Sequence, residues 1–153
     1  MLKPLPRRIV RPPVRDRLLF VPDHALLAGG HGQLSDGSLF GRVELASFGL
    51  SGCAITQDIL RLIPKMPESE FLLAYLSTGL GQRLLKSTAI GTSIPLARLD
   101  LVSQLPLPDA DATIRGSITT HVQAAVDARK KAALSENAAI SLIEEKVLPA
   151  WLN

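Results

Sequence analysis

The chain has 153 residues, of which 46% are hydrophobic and 20% are charged, so it can form one domain with a packed core and does not have a disordered composition. Only 4% of the residues are aromatic, which argues against an aromatic stacking surface for single-stranded nucleic acid. The formal net charge is +3, but six of the 17 basic residues lie within the first 17 positions. Residues 1–17 are therefore predicted to be an extended Pro- and Arg-rich arm, either a phosphate-binding segment or a solvated tail.

The sequence shows no sign of export or of membrane insertion. Cys53 is the single cysteine, which leaves no disulfide within the chain and no thiolate metal site. No apolar run approaches the roughly 20 residues of a membrane span. Prolines interrupt the basic arm, which argues against a signal peptide. We therefore expect a cytoplasmic protein with no membrane segment.

Short strands are predicted in the first part of the chain. Leu18 to Val21 is a brief apolar run, and the glycine-rich residues 29–37 are typical of a loop. Alternation over 38–45 predicts a strand with Leu39, Gly41, Val43 and Leu45 on one face. A further strand is expected over 54–63, ending before Pro64.

Two short helices are predicted next. One begins in Pro67 to Glu70, where proline and acidic residues suit a first helical turn, and ends at Gly79. Phe71 and Tyr75 belong to its apolar stripe and are assigned to the core. The other helix runs from Leu80 to Ser87. The predicted domain covers residues 18–108. It is completed by a loop from Gly91 to Pro95, a helical turn over 96–102 and an extended segment over 105–108.

Residues 109–153 are predicted to form one long helix. Some 35 residues from Asp111 contain no proline, and their apolar positions repeat at helical and heptad spacing. Such a helix would be about 50 Å long, more than the preceding domain can cover. We therefore predict that it presents a partner-helix interface, with packing wholly on its own domain as the alternative. The interface residues are Ile118, Val122, Val126, Ala133, Ile140 and Val147.

Catalytic patterns are weak throughout the chain. His24, His31 and His121 are scattered and form no metal-ligand spacing. His31 lies among glycines, and it is interpreted as a solvated loop residue without a partner, with a functional role as the alternative. There is no nucleophile elbow and no phosphate-binding loop followed by a helix. The sequence also lacks an adenine-methyltransferase motif, and it predicts no catalytic residue, no metal site and no cofactor.

Four blocks in fixed order carry a family resemblance. They are Phe40-Gly41-Arg42-Val43, Thr56-Gln57-Asp58, Leu80-Gly81-Gln82, and Gly91-Thr92-Ser93-Ile94-Pro95 followed by Leu105-Pro106-Leu107-Pro108. With the alanine-rich helix after them, they resemble the target recognition domain of type I restriction-modification specificity subunits. A full recognition domain of that family has a longer N-terminal part, so the resemblance covers the C-terminal part of one domain and its spacer helix.

The resemblance implies an α+β fold: a small mixed domain followed by a long coiled-coil-like helix. It implies a non-catalytic subunit that recognises double-stranded DNA and directs adenine methyltransferase subunits to a bipartite site, in defence and DNA methylation. A restriction or translocase subunit and a second specificity half are further candidate partners. The alternative is a truncated remnant that acts as a helical assembly module and does not bind DNA.

Candidate DNA-binding residues follow from side-chain chemistry and from their positions in these blocks. Arginine pairs with guanine and glutamine with adenine, whereas hydroxyls and basic groups bind phosphates. For Arg42 and Gln57 a purely structural role is the alternative, and for the loop from Gly91 to Pro95 it is a plain connection. We expect Lys86 to lie near that loop. The candidates are Arg42, Gln57, Arg83, Lys86, Thr92 and Ser93.

Overall fold

A three-stranded antiparallel sheet forms the centre of the domain. The computed structural model describes residues 20–46, 50–56, 58–64 and 68–152. Strand β1 (Leu26–Gly29) lies between β2 (Val43–Leu45) and β3 (Ile59–Leu62). The basic arm over 1–17 and the candidate Gln57 lie outside the described residues.

Both faces of β1 are covered by apolar side chains. Leu26 pairs with Leu45 and Leu62, and this face contributes to the main hydrophobic core. Leu27 points to the opposite face, where it packs with Val21, Ala25 and Ala46. Because neither face meets water, this strand has no polar–apolar alternation, which is why the sequence pattern did not predict it.

The two strands predicted from alternation are present but shorter. Only Val43–Leu45 of the predicted 38–45 forms a regular strand, and only Ile59–Leu62 of the predicted 54–63. The expected inward face of the first was wrong at Leu39, which is 73% exposed, whereas Phe40 is 2% exposed. The backbone turns at Gly41, which has a φ of +77°, and this turn reverses the alternation.

Two consecutive helices pack on the sheet. Helix α1 (Ser69–Ser77) is followed after Thr78 by α2 (Gly79–Ser87). The Thr78 hydroxyl donates to the Tyr75 carbonyl at 2.7 Å and accepts from the Gly81 amide at 3.0 Å, so it caps α2 and joins the two helices. Phe71 is buried, and the half-buried Tyr75 donates its hydroxyl hydrogen bond to the Pro106 carbonyl at 2.8 Å.

A small hairpin follows the helices and contacts the sheet through a glycine-rich loop. Strands β4 (Ala89–Ile90) and β5 (Leu96–Ala97) are paired antiparallel. The Ala97 amide donates to the Gly30 carbonyl at 2.8 Å, and the Gly32 amide donates to the Pro95 carbonyl at 3.0 Å. The short helix α3 (Leu99–Val102) follows, so the predicted helical turn over 96–102 begins three residues later than expected.

The predicted long helix is confirmed and extends over 41 residues, from Ala112 to Leu152. It consists of α4 (Ala112–Leu142), a π-helical turn (Ile143–Val147) and α5 (Leu148–Leu152). The Asp111 side chain caps α4 by accepting from the Ile114 amide at 2.9 Å. The π turn ends two residues before Pro149, whose ring cannot lie against the carbonyl four residues earlier in an α-helix.

The first turns of α4 are fixed to the start of α1. The Arg115 guanidinium forms an ion pair with Glu68 and lies 4.9 Å from the centre of the Phe71 ring. It also contacts Asp109, at 3.3 Å.

The predicted α+β fold class with a long C-terminal helix is confirmed by this arrangement of strands and helices. Within the described residues, no helix has the length and apolar character needed to cross a membrane.

Candidate nucleic-acid interface

Two of the predicted basic residues meet on one loop. The Arg42 guanidinium donates to the Gly37 carbonyl at 3.0 Å, and the Lys86 ammonium donates to the Ser35 carbonyl at 3.1 Å. Lys86 also lies 3.8 Å from the carboxylate of Asp36. Both cations therefore hold the loop over 35–37, although they are 44 residues apart in the chain.

The Lys86 ammonium group contacts a loop that the sequence did not identify as its neighbour. We expected its ammonium group beside the loop from Gly91 to Pro95, but its contacts are with Ser35 and Asp36. Its side chain is only 20% exposed. Lys86 therefore stabilises the loop over 35–37, and Asp36 partly balances its charge.

Arg83 lies one turn before Lys86 on α2, and residues three apart share a helix face. Arg83 is exposed and has no ion pair with any described residue. Since Lys86 is already engaged, Arg83 is the more accessible cation of the two. Phosphate binding on this face would therefore depend mainly on Arg83.

The predicted loop after β4 is the tip of the hairpin. Thr92 and Ser93 are exposed there, and Gly91 has a φ of +94°, which explains the glycine at the turn. Ile94 is 63% exposed in the same loop. The tip therefore presents two hydroxyls and an aliphatic side chain to solvent, a mixture that suits either phosphate or base-edge contacts.

At the base of the hairpin, two further charges neutralise each other. The Arg98 guanidinium donates hydrogen bonds to the Asp100 carboxylate. Its side-chain hydrogen bond lowers the pKa of Asp100 below the ordinary range, and the same bond raises the pKa of Arg98. This exposed pair lies at the start of α3 and leaves little net charge at that position for a ligand.

The structure gives His31 a partner that sequence analysis missed. Its Nδ1 lies 2.9 Å from an Asp58 carboxylate oxygen, so the interpretation of an unpartnered solvated histidine was wrong. Asp58 is 27 residues away in the chain, and only the pairing of β1 with β3 brings the two together. A histidine between two glycines was the only local signal, and it did not identify the partner.

The residues of the predicted partner-helix interface differ in burial between the two halves of the helix. Val122 and Val126 pack against the chain's own core, and Ile118 and Ala133 are half-buried. The Arg129 guanidinium lies 3.1 Å from Glu44 on β2, which attaches this part of the helix to the domain. The first half of the stripe is therefore used within the chain.

Beyond Ala133 the helix projects from the domain. From 134 to 152, all residues except Asn137 are exposed. Ile140 and Val147 from the predicted stripe are 47% and 51% exposed, and Trp151 is 77% exposed. This projecting segment extends over roughly 28 Å at about 1.5 Å per residue. Its apolar side chains are therefore available to a partner.

Two comparisons with known proteins give no family assignment. No protein-family model matches the chain, and no curated protein sequence matches it. Among the described residues, no group of three histidine, cysteine, aspartate or glutamate side chains could hold a metal ion. The function must therefore be inferred from the geometry of the chain itself. The features that bear on it are the loop over 35–37, the hairpin tip, the pair formed by His31 and Asp58, and the projecting helix.

Proposed function

We propose that this chain recognises double-stranded DNA as part of the specificity subunit of a type I restriction-modification complex. In this function it performs no chemistry itself. It directs adenine methyltransferase subunits to one half of a bipartite site, and a second specificity half reads the other. A restriction or translocase subunit is a further partner of the assembled complex, which acts in the cytoplasm.

The long C-terminal helix is the observation that supports the assembly part of this proposal most strongly. A helix needed only for the stability of this domain would end where the domain's core ends. Here it continues beyond Ala133 and presents an apolar surface that contains Ile140, Val147 and Trp151. A recognition unit that must be held at a fixed distance from a second unit needs such a projecting element.

The loops at the domain surface supply the chemistry that DNA binding requires. The hairpin tip carries the hydroxyls of Thr92 and Ser93, and the exposed Arg83 supplies a cation on α2. Arg42 and Lys86 hold the neighbouring loop over 35–37 in position. Phosphate contacts from hydroxyls and cations orient a protein on DNA, and base contacts supply the specificity.

A second function, a helical assembly module that does not bind DNA, is favoured by the same exposed helix segment. In that case, substitutions at Ile140 or Val147 would disrupt assembly, and substitutions at the hairpin tip would have no effect on any measured activity. Substitutions on the domain surface therefore distinguish the two functions, whereas substitutions on the helix would disrupt assembly in both.

The test begins with purification of the chain from its native host at mild salt and identification of the co-purifying chains by mass spectrometry. Recovery of an adenine methyltransferase subunit, with sequence-specific adenine methylation by the complex, would support the recognition function. Recovery of the chain alone or bound only to itself, without DNA binding, would favour the assembly module.

The DNA surface is then tested by salt titration of the assembled complex. We expect Arg83→Ala to weaken DNA binding and to reduce the slope of log K against log salt by about 1, the value for one lost phosphate contact. Lys131→Ala is the matched control, since Lys131 is exposed on α4 and its loss changes the net charge equally. Equal slopes for wild type and Arg83→Ala would reject the assignment of Arg83.

A further inference from the structure

The loop that carries His31 is fixed at the junction of the sheet and the hairpin. The Gly30 amide donates to the Asp58 carbonyl at 3.0 Å, and the Gly30 carbonyl accepts from the Ala97 amide at 2.8 Å. The backbone of His31 forms an isolated antiparallel bridge with Leu96. A Cβ on Gly30 would lie 2.6 Å from the Leu60 side chain, so the loop packs too closely for any larger residue there. The position of the imidazole is therefore set by contacts on both sides.

The Asp58 carboxylate also determines which ring nitrogen carries the proton. An ionised carboxylate can only accept hydrogen bonds, and its oxygen lies 2.9 Å from Nδ1 of His31. In the neutral ring, Nδ1 is then the donor and Nε2 is left with its lone pair. Among the described residues, Nε2 has no hydrogen-bond partner, and the His31 side chain is 36% exposed. The pair therefore presents an oriented hydrogen-bond acceptor at the surface.

We propose that His31 is a base-reading residue of this domain, which accepts a hydrogen bond at Nε2 from the exocyclic amino group of adenine or cytosine. Asp58 is a positioning residue that fixes the tautomer and the orientation of the ring. The proposal rests on DNA recognition as the function of the chain, and it adds a residue pair and a class of base to it.

The chemistry of the acceptor favours a base over a phosphate. Phosphate oxygens are acceptors and offer no hydrogen to a neutral Nε2, whereas adenine N6 and cytosine N4 are donors in the major groove. Guanine O6 and thymine O4 are acceptors at the corresponding positions, so a neutral His31 discriminates against them. Leu96, whose backbone bridges to His31, and its strand partner Ile90 are 45% and 48% exposed, and aliphatic side chains of this kind can contact a thymine methyl group.

The experiment uses the assembled complex and an unmodified duplex that carries the DNA sequence the complex methylates. Each adenine of the site is replaced singly by purine, which lacks the amino group, and each cytosine by 2-pyrimidinone. At one position we expect wild type to lose about three- to tenfold in affinity, which corresponds to one hydrogen bond. The His31→Ala complex should show no loss for that same replacement and should bind the natural site as weakly as wild type binds the modified one.

His121→Ala is the matched control because His121 is an exposed histidine on a different element, α4. It should keep the wild-type response at every position. Asp58→Asn should reduce the response to the missing amino group, because an amide can also donate and no longer fixes the tautomer. Ring ¹⁵N shifts of His31 provide a direct readout, which should change from the Nδ1–H form to a mixture in Asp58→Asn.

The outcomes separate this proposal from the proposed function. If the wild-type complex does not bind DNA specifically, the recognition function itself fails. If wild type binds specifically and His31→Ala responds to every base replacement as wild type does, His31 does not read a base and this proposal alone is rejected. A uniform loss of affinity in His31→Ala, with unchanged dependence on the amino groups, would also reject it.

Discussion

Val126 and Ile140 lie two heptads apart on the same helix stripe, but the structure predicts opposite results for their replacement by aspartate. Val126 packs against the hydrophobic core beside Leu45 and Leu73. Replacing it removes about 1–2 kcal/mol of apolar burial and brings a carboxylate to an apolar contact, so we expect a loss of about 2–4 kcal/mol in the free energy of unfolding. Ile140 is 47% exposed, so Ile140→Asp should change that free energy by no more than about 0.5 kcal/mol.

Assembly should respond in the other direction. If the projecting segment is an interface, covering Ile140 contributes about 1 kcal/mol, and a carboxylate buried there costs at least about 2 kcal/mol more. A total of about 3 kcal/mol corresponds to more than a hundredfold weaker association. Urea unfolding of the dilute chain and analytical ultracentrifugation of the complex measure the two effects separately.

Ala138→Asp is the matched control for this prediction, since two residues place it about 200° from Ile140 around the helix. It should leave both measurements near wild type. If Ile140→Asp lowers the stability of the isolated chain as much as Val126→Asp does, the helix does not project. If Ile140→Asp leaves association unchanged, the exposed stripe is not the interface.

Three further predictions concern the stability of the domain, all measured by urea unfolding. Gly81→Ala should lower the free energy of unfolding by about 2–3 kcal/mol, because its Cβ would lie 2.4 Å from the Tyr75 carbonyl oxygen. Gly116→Ala has open space around its Cβ and should raise that free energy by up to about 1 kcal/mol. Equal effects of the two substitutions would contradict the packing of α1 on α2. Asp111→Ala should cost about 1 kcal/mol through loss of the α4 cap, and Asp111→Ser should restore most of it. Since Arg98 lowers the pKa of Asp100, their pair stabilises the fold above the ordinary aspartate range, and this contribution disappears as the pH falls through the lowered pKa. Asp100→Asn should therefore lower the unfolding midpoint slightly at neutral pH and not in strong acid, and a difference that persisted in acid would refute this origin.

Local sequence signals were sufficient for the helices and for one loop. The absence of proline from 112 to 148 and the many alanines determine a long helix from local propensity, and Asp111 supplies its cap. The glycine and proline that flank Thr92 and Ser93 determined a loop there, and the structure has one at the hairpin tip. These features depend on residues within a few positions of one another, so a single sequence contains the necessary information.

Long-range packing decided the features that the sequence did not predict. The central strand Leu26–Gly29 has apolar residues on both faces, and a continuous apolar run does not distinguish a buried strand from other structures. The contact of Lys86 with Ser35 spans 51 positions, and that of His31 with Asp58 spans 27. No local pattern specifies which distant residue completes such a pair, because the strand pairing and the loop geometry set the distance.

The division of the long helix shows the same limit at the level of the whole domain. The sequence determined the apolar stripe from Ile118 to Val147 as a single repeating pattern, with no difference in residue type between its two halves. Only the size and position of the sheet and of α1 decide that Val126 is packed within the chain and that Ile140 is exposed. A side chain is buried by what lies opposite it, and for this helix the core of the domain does not extend beyond about Ala133.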